Sequence, residues 1–104
     1  MDELSVNYQE MEWKFATGYP AGTKIKILRE ANGTKTFLLN IPQGFDMEAH
    51  SHTGPEQHFV LDGEYQIDNK IYNKGFYCYI PGGVTHGPFT SKSGAIILVI
   101  WDLV

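Results

Sequence analysis

His50-Ser51-His52, with Glu56 close behind and His86 further on, is the part of this chain whose residue types and spacing could do chemistry. Three imidazoles and one carboxylate make a mixed nitrogen and oxygen ligand set of the kind that first-row divalent metals take. In an extended strand, residues two apart face the same way, so His50 and His52 can approach one ion as neighbouring donors. Glu56, just past the Gly54-Pro55 turn, can supply a third. A lone histidine would be read as an ordinary polar residue. Here all 4 histidines fall in two short stretches, His50 to His58 and around His86, each bracketed by glycines, and metal binding is the stronger reading.

The gaps between these residues resemble the two signature motifs of the cupin superfamily. The first, G(X)5HXH(X)3-4E(X)6G, is met by Gly44, His50, His52, Glu56 and Gly63. The second, G(X)5PXG(X)2H(X)3N, is met by Gly75, Pro81, Gly83 and His86, with Thr90 where the motif has asparagine. The resemblance implies an all-β double-stranded β-helix, or jelly-roll barrel. It also implies that His50, His52, Glu56 and His86 hold one divalent transition metal per chain: Fe(II), Mn(II), Ni(II) or Zn(II). Thr90 lies outside that ligand set, so the departure bears on subfamily and not on metal binding. Looser matches are similar to the ChrR-like branch of cupins: Trp13, Pro20-Ala21-Gly22 leading to Lys26-Ile27-Leu28, and His86-Gly87-Pro88-Phe89-Thr90 followed by Gly94.

The elements that must position these residues read as short strands punctuated by turn formers, the pattern of an all-β sandwich or barrel. Lys24 to Glu30 alternates at first, with Ile25 and Ile27 on one face, and Asn32-Gly33 predicts a hairpin to Thr34 to Ile41. Pro42-Gln43-Gly44 breaks that strand before the histidines begin. Asp62-Gly63 predicts a second hairpin turn, between Gln57 to Leu61 and Glu64 to Ile67, and Asp68-Asn69 a third. Ile71-Tyr72, Phe76 to Ile80 and the apolar run Ala95 to Trp101 complete the set. The core shows no helical period.

His58 lies outside the motif ligands, yet alternation puts it on the face of Glu56. Beside a cation it would tend to stay neutral, free to orient a ligand, to accept a proton, or to bond a substrate; the plain alternative is a core histidine bonded to a backbone carbonyl. Cys78, among Phe76, Tyr77 and Tyr79, reads as a small buried hydrophobe. Tyr65, Tyr77, Tyr79, Phe89 and Trp101 could line a pocket, but in a sandwich, core or subunit-interface packing is the stronger reading.

Composition narrows the classes. With 104 residues the chain fits one domain, read as an arm over residues 1–14 and a single cupin domain over residues 15–104. A formal net charge of -4 with scattered lysines gives no basic stripe for nucleic acid. No stretch approaches the roughly 20 apolar residues of a membrane span, and no basic-then-apolar leader opens the chain. These features lead to an expectation of a cytoplasmic protein, and the single cysteine agrees with it. Small cupins commonly pair, so a homodimer is expected, with the N-terminal arm packing on a neighbour.

Three functions are compatible with a metal-holding cupin that takes a small-molecule ligand. The resemblance implies first a dioxygenase acting on a diketone-like or phenolic substrate, with Fe(II) polarising the bound enolate as a Lewis acid and His58 as proton acceptor. A non-oxidative metalloenzyme of sugar isomerase or lyase type is the second. A non-catalytic ligand-binding or sensing cupin is the third; no sigma-binding helical domain precedes the motif, which argues against a direct anti-sigma role. An enzyme is favoured over a binding domain, and oxidation over isomerisation.

Overall fold

A computed structural model describes residues 3–102. Among them the chain forms a short 3-10 turn, Tyr8–Glu10, and nine strands: β1 (Lys14–Phe15), β2 (Lys24–Ala31), β3 (Thr34–Ile41), β4 (Phe45–Met47), β5 (Glu56–Ile67), β6 (Lys70–Asn73), β7 (Tyr77–Ile80), β8 (Phe89–Ser91) and β9 (Ala95–Asp102). All named pairings are antiparallel. One sheet runs β1-β2-β3-β9-β5-β7 and the other β6-β5-β8-β4, so β5 belongs to both. The two curl around one core as the expected jelly-roll barrel.

Alternation builds that core. The β3–β9 ladder pairs Phe37 with Val99, Leu39 with Ile97 and Ile41 with Ala95, and all six are buried together with Val60, Tyr65 and Phe89. Each large apolar side chain of this kind contributes about 1.5–3 kcal/mol by leaving water. Asn32-Gly33 closes the β2–β3 hairpin and Asp68-Asn69 the β5–β6 hairpin, both as the sequence leads one to expect.

Asp62-Gly63 does not turn the chain. Strand β5 runs straight through it, and its register against β9 slips between Val60 and Asp62. The dipeptide makes a bulge, one extra residue that bends the strand. Gly63 has a φ of 72°, and a side-chain carbon there would collide with the Gly94 carbonyl oxygen. The bend lets the first half of β5 pair with β7 and β9 while the second half pairs with β6 and β8.

On the outer face, Lys26 is only 6% exposed. Its ammonium donates to the Tyr8 carbonyl at 2.7 Å and lies 4.4 Å from the centre of the Trp13 ring. The segment before β1 therefore seats on its own strand β2. Among the described residues no helix is long and apolar enough to cross a membrane.

Candidate metal centre

The expected strand through His50-Ser51-His52 is absent. His50 makes a single bridge to His86, His50 N–H to His86 C=O and the reverse, each at 2.9 Å, and His52 lies in the connection to β5. The bridge continues the register of the β4–β8 ladder, in which Phe45 faces Ser91 and Met47 faces Phe89. Gly54 and Pro55 leave no room for a longer strand before Glu56. Instead, the Gly83 N–H bonds the His52 carbonyl at 2.7 Å and ties this connection to the Pro81-Gly82-Gly83 turn. Gly82 packs so closely on Thr53 that a side-chain carbon would strike the Thr53 carbonyl oxygen. Glu56, the first residue of β5, pairs with Trp101 of β9.

These connections bring together the side chains that the motifs single out. One potential ligand atom from each of His50, His52, Glu56 and His86 lies within 4.8 Å of every other. The His50, His52 and His86 rings form a near-regular triangle, with centres 4.9, 4.9 and 5.0 Å apart. His50 Nδ1 donates to the Glu48 carbonyl at 3.0 Å, which leaves Nε2 with its lone pair free. Both ring nitrogens of His86 are buried and bond nothing in the protein. A buried polar atom left this way costs about 1–3 kcal/mol, and coordination removes that cost for one of them. The donor set and its convergence fit a divalent transition metal, so this cluster could bind one.

His58 is 8% exposed and bonds both ways: Nε2 to Glu56 Oε1 at 3.0 Å and Nδ1 to the Tyr65 hydroxyl at 2.7 Å. Glu56 Oε2 lies 2.7 Å from His52 Nε2. Burial works to raise the Glu56 carboxyl, but the His58 hydrogen bond and the electrostatic influence of the surrounding His58, His52 and His86 rings outweigh it and hold the group below the ordinary carboxylate range. His86 is pushed below the ordinary histidine value, first by burial and then by His50 and His52, against the opposing pull of Glu56. Burial pushes the Cys78 thiol up, against the lowering influence of Tyr72 and Lys70, which agrees with a packing role.

His50, His52, Glu56 and His58 face a cavity of about 280 Å³. Its walls are Leu39, Ile41, Phe45, Phe89, Ile97 and Val99, and among the described residues no lysine, arginine, asparagine or glutamine lines it. Thr17, Gly18 and Tyr19 close over it from the β1–β2 connection; burial and the Glu56 charge push the Tyr19 hydroxyl up to about 12. Trp101, also in the lining, carries a buried indole N–H without a partner in the protein. Of the aromatics that could line a pocket, Tyr65, Phe89 and Trp101 do so; Tyr77 and Tyr79 are exposed on the outside. The sequence names Tyr65 as able to line a pocket but gives no sign of its bond to His58. Tyr19 gives no sequence signal at all, since it lies in an irregular connection.

Comparison with known proteins agrees with this architecture. An RmlC-like cupin from Shewanella frigidimarina superposes with a TM-score of 0.82 at 18% identity, covering 100% of this chain and 93% of that one. An acetylacetone dioxygenase from Acinetobacter johnsonii superposes with a TM-score of 0.85 at 17% identity, covering 98% and 75%. The anti-sigma factor ChrR from Rhodobacter sphaeroides, solved in complex with SigE, gives 0.75 at 24% identity, covering 92% of this chain and 52% of that one. The chain thus spans about half the length of ChrR. No curated protein sequence matches it. The model of the ChrR cupin-like domain matches residues 1–102, and the chain belongs to that family of cupins.

Proposed function

We propose that this protein holds one divalent transition metal through His50, His52, Glu56 and His86 and acts as a metal-dependent oxidoreductase of dioxygenase type on a small diketone-like or phenolic molecule. The observation that carries this reading is the cavity: His50, His52 and Glu56, three of the four convergent metal-binding side chains, line a space whose other walls are mostly apolar. At about 280 Å³ it falls just below the roughly 300–1,000 Å³ of ordinary ligand pockets, which favours a small ligand. When bound, the ion supplies Lewis acidity toward an oxygen of the substrate. Trp101 lines the same space, and the apolar walls suit a ring or alkyl body. The likeness to an acetylacetone dioxygenase supports the same reading.

His58 enters this proposal as a holder of the carboxylate, because both of its ring nitrogens are already engaged, by Glu56 and Tyr65. A sugar isomerase or lyase is less well served: polyol hydroxyls need several side-chain partners, and a phosphate needs cations. A ligand-binding role without turnover is the reading that the likeness to ChrR favours.

Elemental analysis of protein from metal-unsupplemented cells, followed by oxygen uptake of the Fe(II)-loaded protein with acetylacetone and simple phenols, tests the proposal. Oxygen consumption that depends on both iron and substrate is the expected result. Ligand-induced stabilisation without oxygen uptake or product would move the protein to the sensing class. Assembly as a homodimer is part of the same proposal, and sedimentation as a monomer at micromolar concentration would remove it.

A further inference from the structure

We infer that Tyr65 and His58 act as a clamp that fixes the Glu56 carboxylate with Oε2 turned to the metal site, and that this positioning sets metal affinity. The inference rests on the metal-binding reading above. A carboxylate can only accept hydrogen bonds, so the 3.0 Å contact requires the proton on His58 Nε2. In a neutral ring Nδ1 is then an acceptor, and the Tyr65 hydroxyl donates to it at 2.7 Å. With the ring neutral, the chain of bonds runs from Tyr65 through His58 to Glu56 Oε1. It leaves Oε2 as the oxygen that faces His52 Nε2 and the other ligand atoms.

The clamp is built to hold still. Glu56, His58 and Tyr65 are 8%, 8% and 3% exposed. The His58 ring packs against Tyr65 and Phe89, and the Tyr65 and Phe89 rings lie parallel within 3°. Turning the imidazole would break two hydrogen bonds and disturb that stack. A glutamate needs such a device, because the last torsion of its side chain has a broad preference and its ordering costs entropy. Groups that orient metal ligands in this way typically account for about 10–100-fold in metal affinity. His58 and Tyr65 are positioning residues, since they act through Glu56.

Co(II) titration with a competing chelator, read together with the visible spectrum of the bound ion, tests the clamp. His58→Leu is expected to weaken Co(II) binding about 10–100-fold and to alter the spectrum, and Tyr65→Phe to weaken it by a smaller factor. His58→Gln, whose amide can donate to Glu56 and accept from Tyr65, should recover part of the loss. In the double variant Tyr65→Phe should add nothing to His58→Leu, because its effect passes through the missing imidazole. Folded single variants with wild-type affinity and spectrum would overturn the clamp and leave the metal site standing. A wild-type protein that binds no Co(II) would overturn both. Tyr65→Phe, which only removes an oxygen, keeps the test valid should His58→Leu fail to fold.

Discussion

Two buried nitrogen-bearing groups lie on opposite faces of the same barrel and have opposite surroundings. Lys26, on the outer face of β2, is fully provided for within the chain: its ammonium has the Tyr8 carbonyl and the faces of Trp13 and Tyr8. His86, on the inside, has two ring nitrogens with no partner at all. A folded chain leaves few buried polar groups unpaired. Lys26 thus belongs to the fold, whereas His86 is arranged for something that the polypeptide itself does not supply. The lysine's partners come from a single segment, Tyr8 to Trp13. The histidine's neighbours come from several connections that meet at one point, and such convergence is more readily explained by a ligand than by packing.

The sharpest way to break this comparison is His86→Ala. It should abolish metal retention, with a loss greater than the roughly 100-fold at the top of the range for an outer partner, while the metal-free protein remains folded; chelator competition and elemental analysis check it. Next in size is the ion itself. At a free concentration of 100 times its Kd, Zn(II) or Ni(II) should raise wild-type unfolding free energy by about 2.7 kcal/mol and that of His86→Ala not at all. Lys26→Met should lower stability by about 2 kcal/mol, through loss of a charge-assisted hydrogen bond and a cation–π contact. It should leave metal affinity unchanged; a loss of metal binding would show that the two faces are coupled.

Acid should act on the inner face. Glu56 and His86 both lie below their ordinary values, so over the intervening pH range the unfolded chain binds more protons than the folded one. Their stabilising contribution is complete above those ordinary values. It declines as pH falls below about 6.5, where histidine charges in the unfolded chain, and again below about 4.3 for the glutamate, until each folded-state value is passed. Urea titrations of the metal-free protein between pH 8 and pH 4 check this, and His86→Ala should flatten the first decline. The smallest effect belongs to Cys78→Ser, which should cost less than about 1 kcal/mol and leave metal binding as it was.

His50, His52 and Glu56 were legible in the sequence because their spacing is local, and His86 because it stands in a second motif. The two histidine stretches and Glu56 stand at gaps that a short extended connection brings together, and the Asn32-Gly33 and Asp68-Asn69 turns are specified by the residues within them. What could not be read depends on partners distant in the chain. Asp62-Gly63 has the composition of a hairpin turn, and only the pairing of β9 with β5 makes it a bulge. The same bulge brings His58 and Tyr65, an odd number of residues apart, both to the inside, so their bond could not be read from strand alternation. Nothing near Lys26 in the sequence announces that Tyr8 and Trp13 cover it. Strands β4 and β8, three residues each, are too short to show a period.

Strand β5 has a further consequence for how the molecule opens. Its first half is held by β7 and β9 and its second by β6 and β8, so neither sheet can come apart without pulling on a strand that the other requires. The barrel should open as one cooperative unit. Amide hydrogens of Phe59 and Val60 at one end and of Tyr65 and Gln66 at the other should exchange with the same free energy, and a bound ion should slow both ends alike, although Glu56 lies at only one of them.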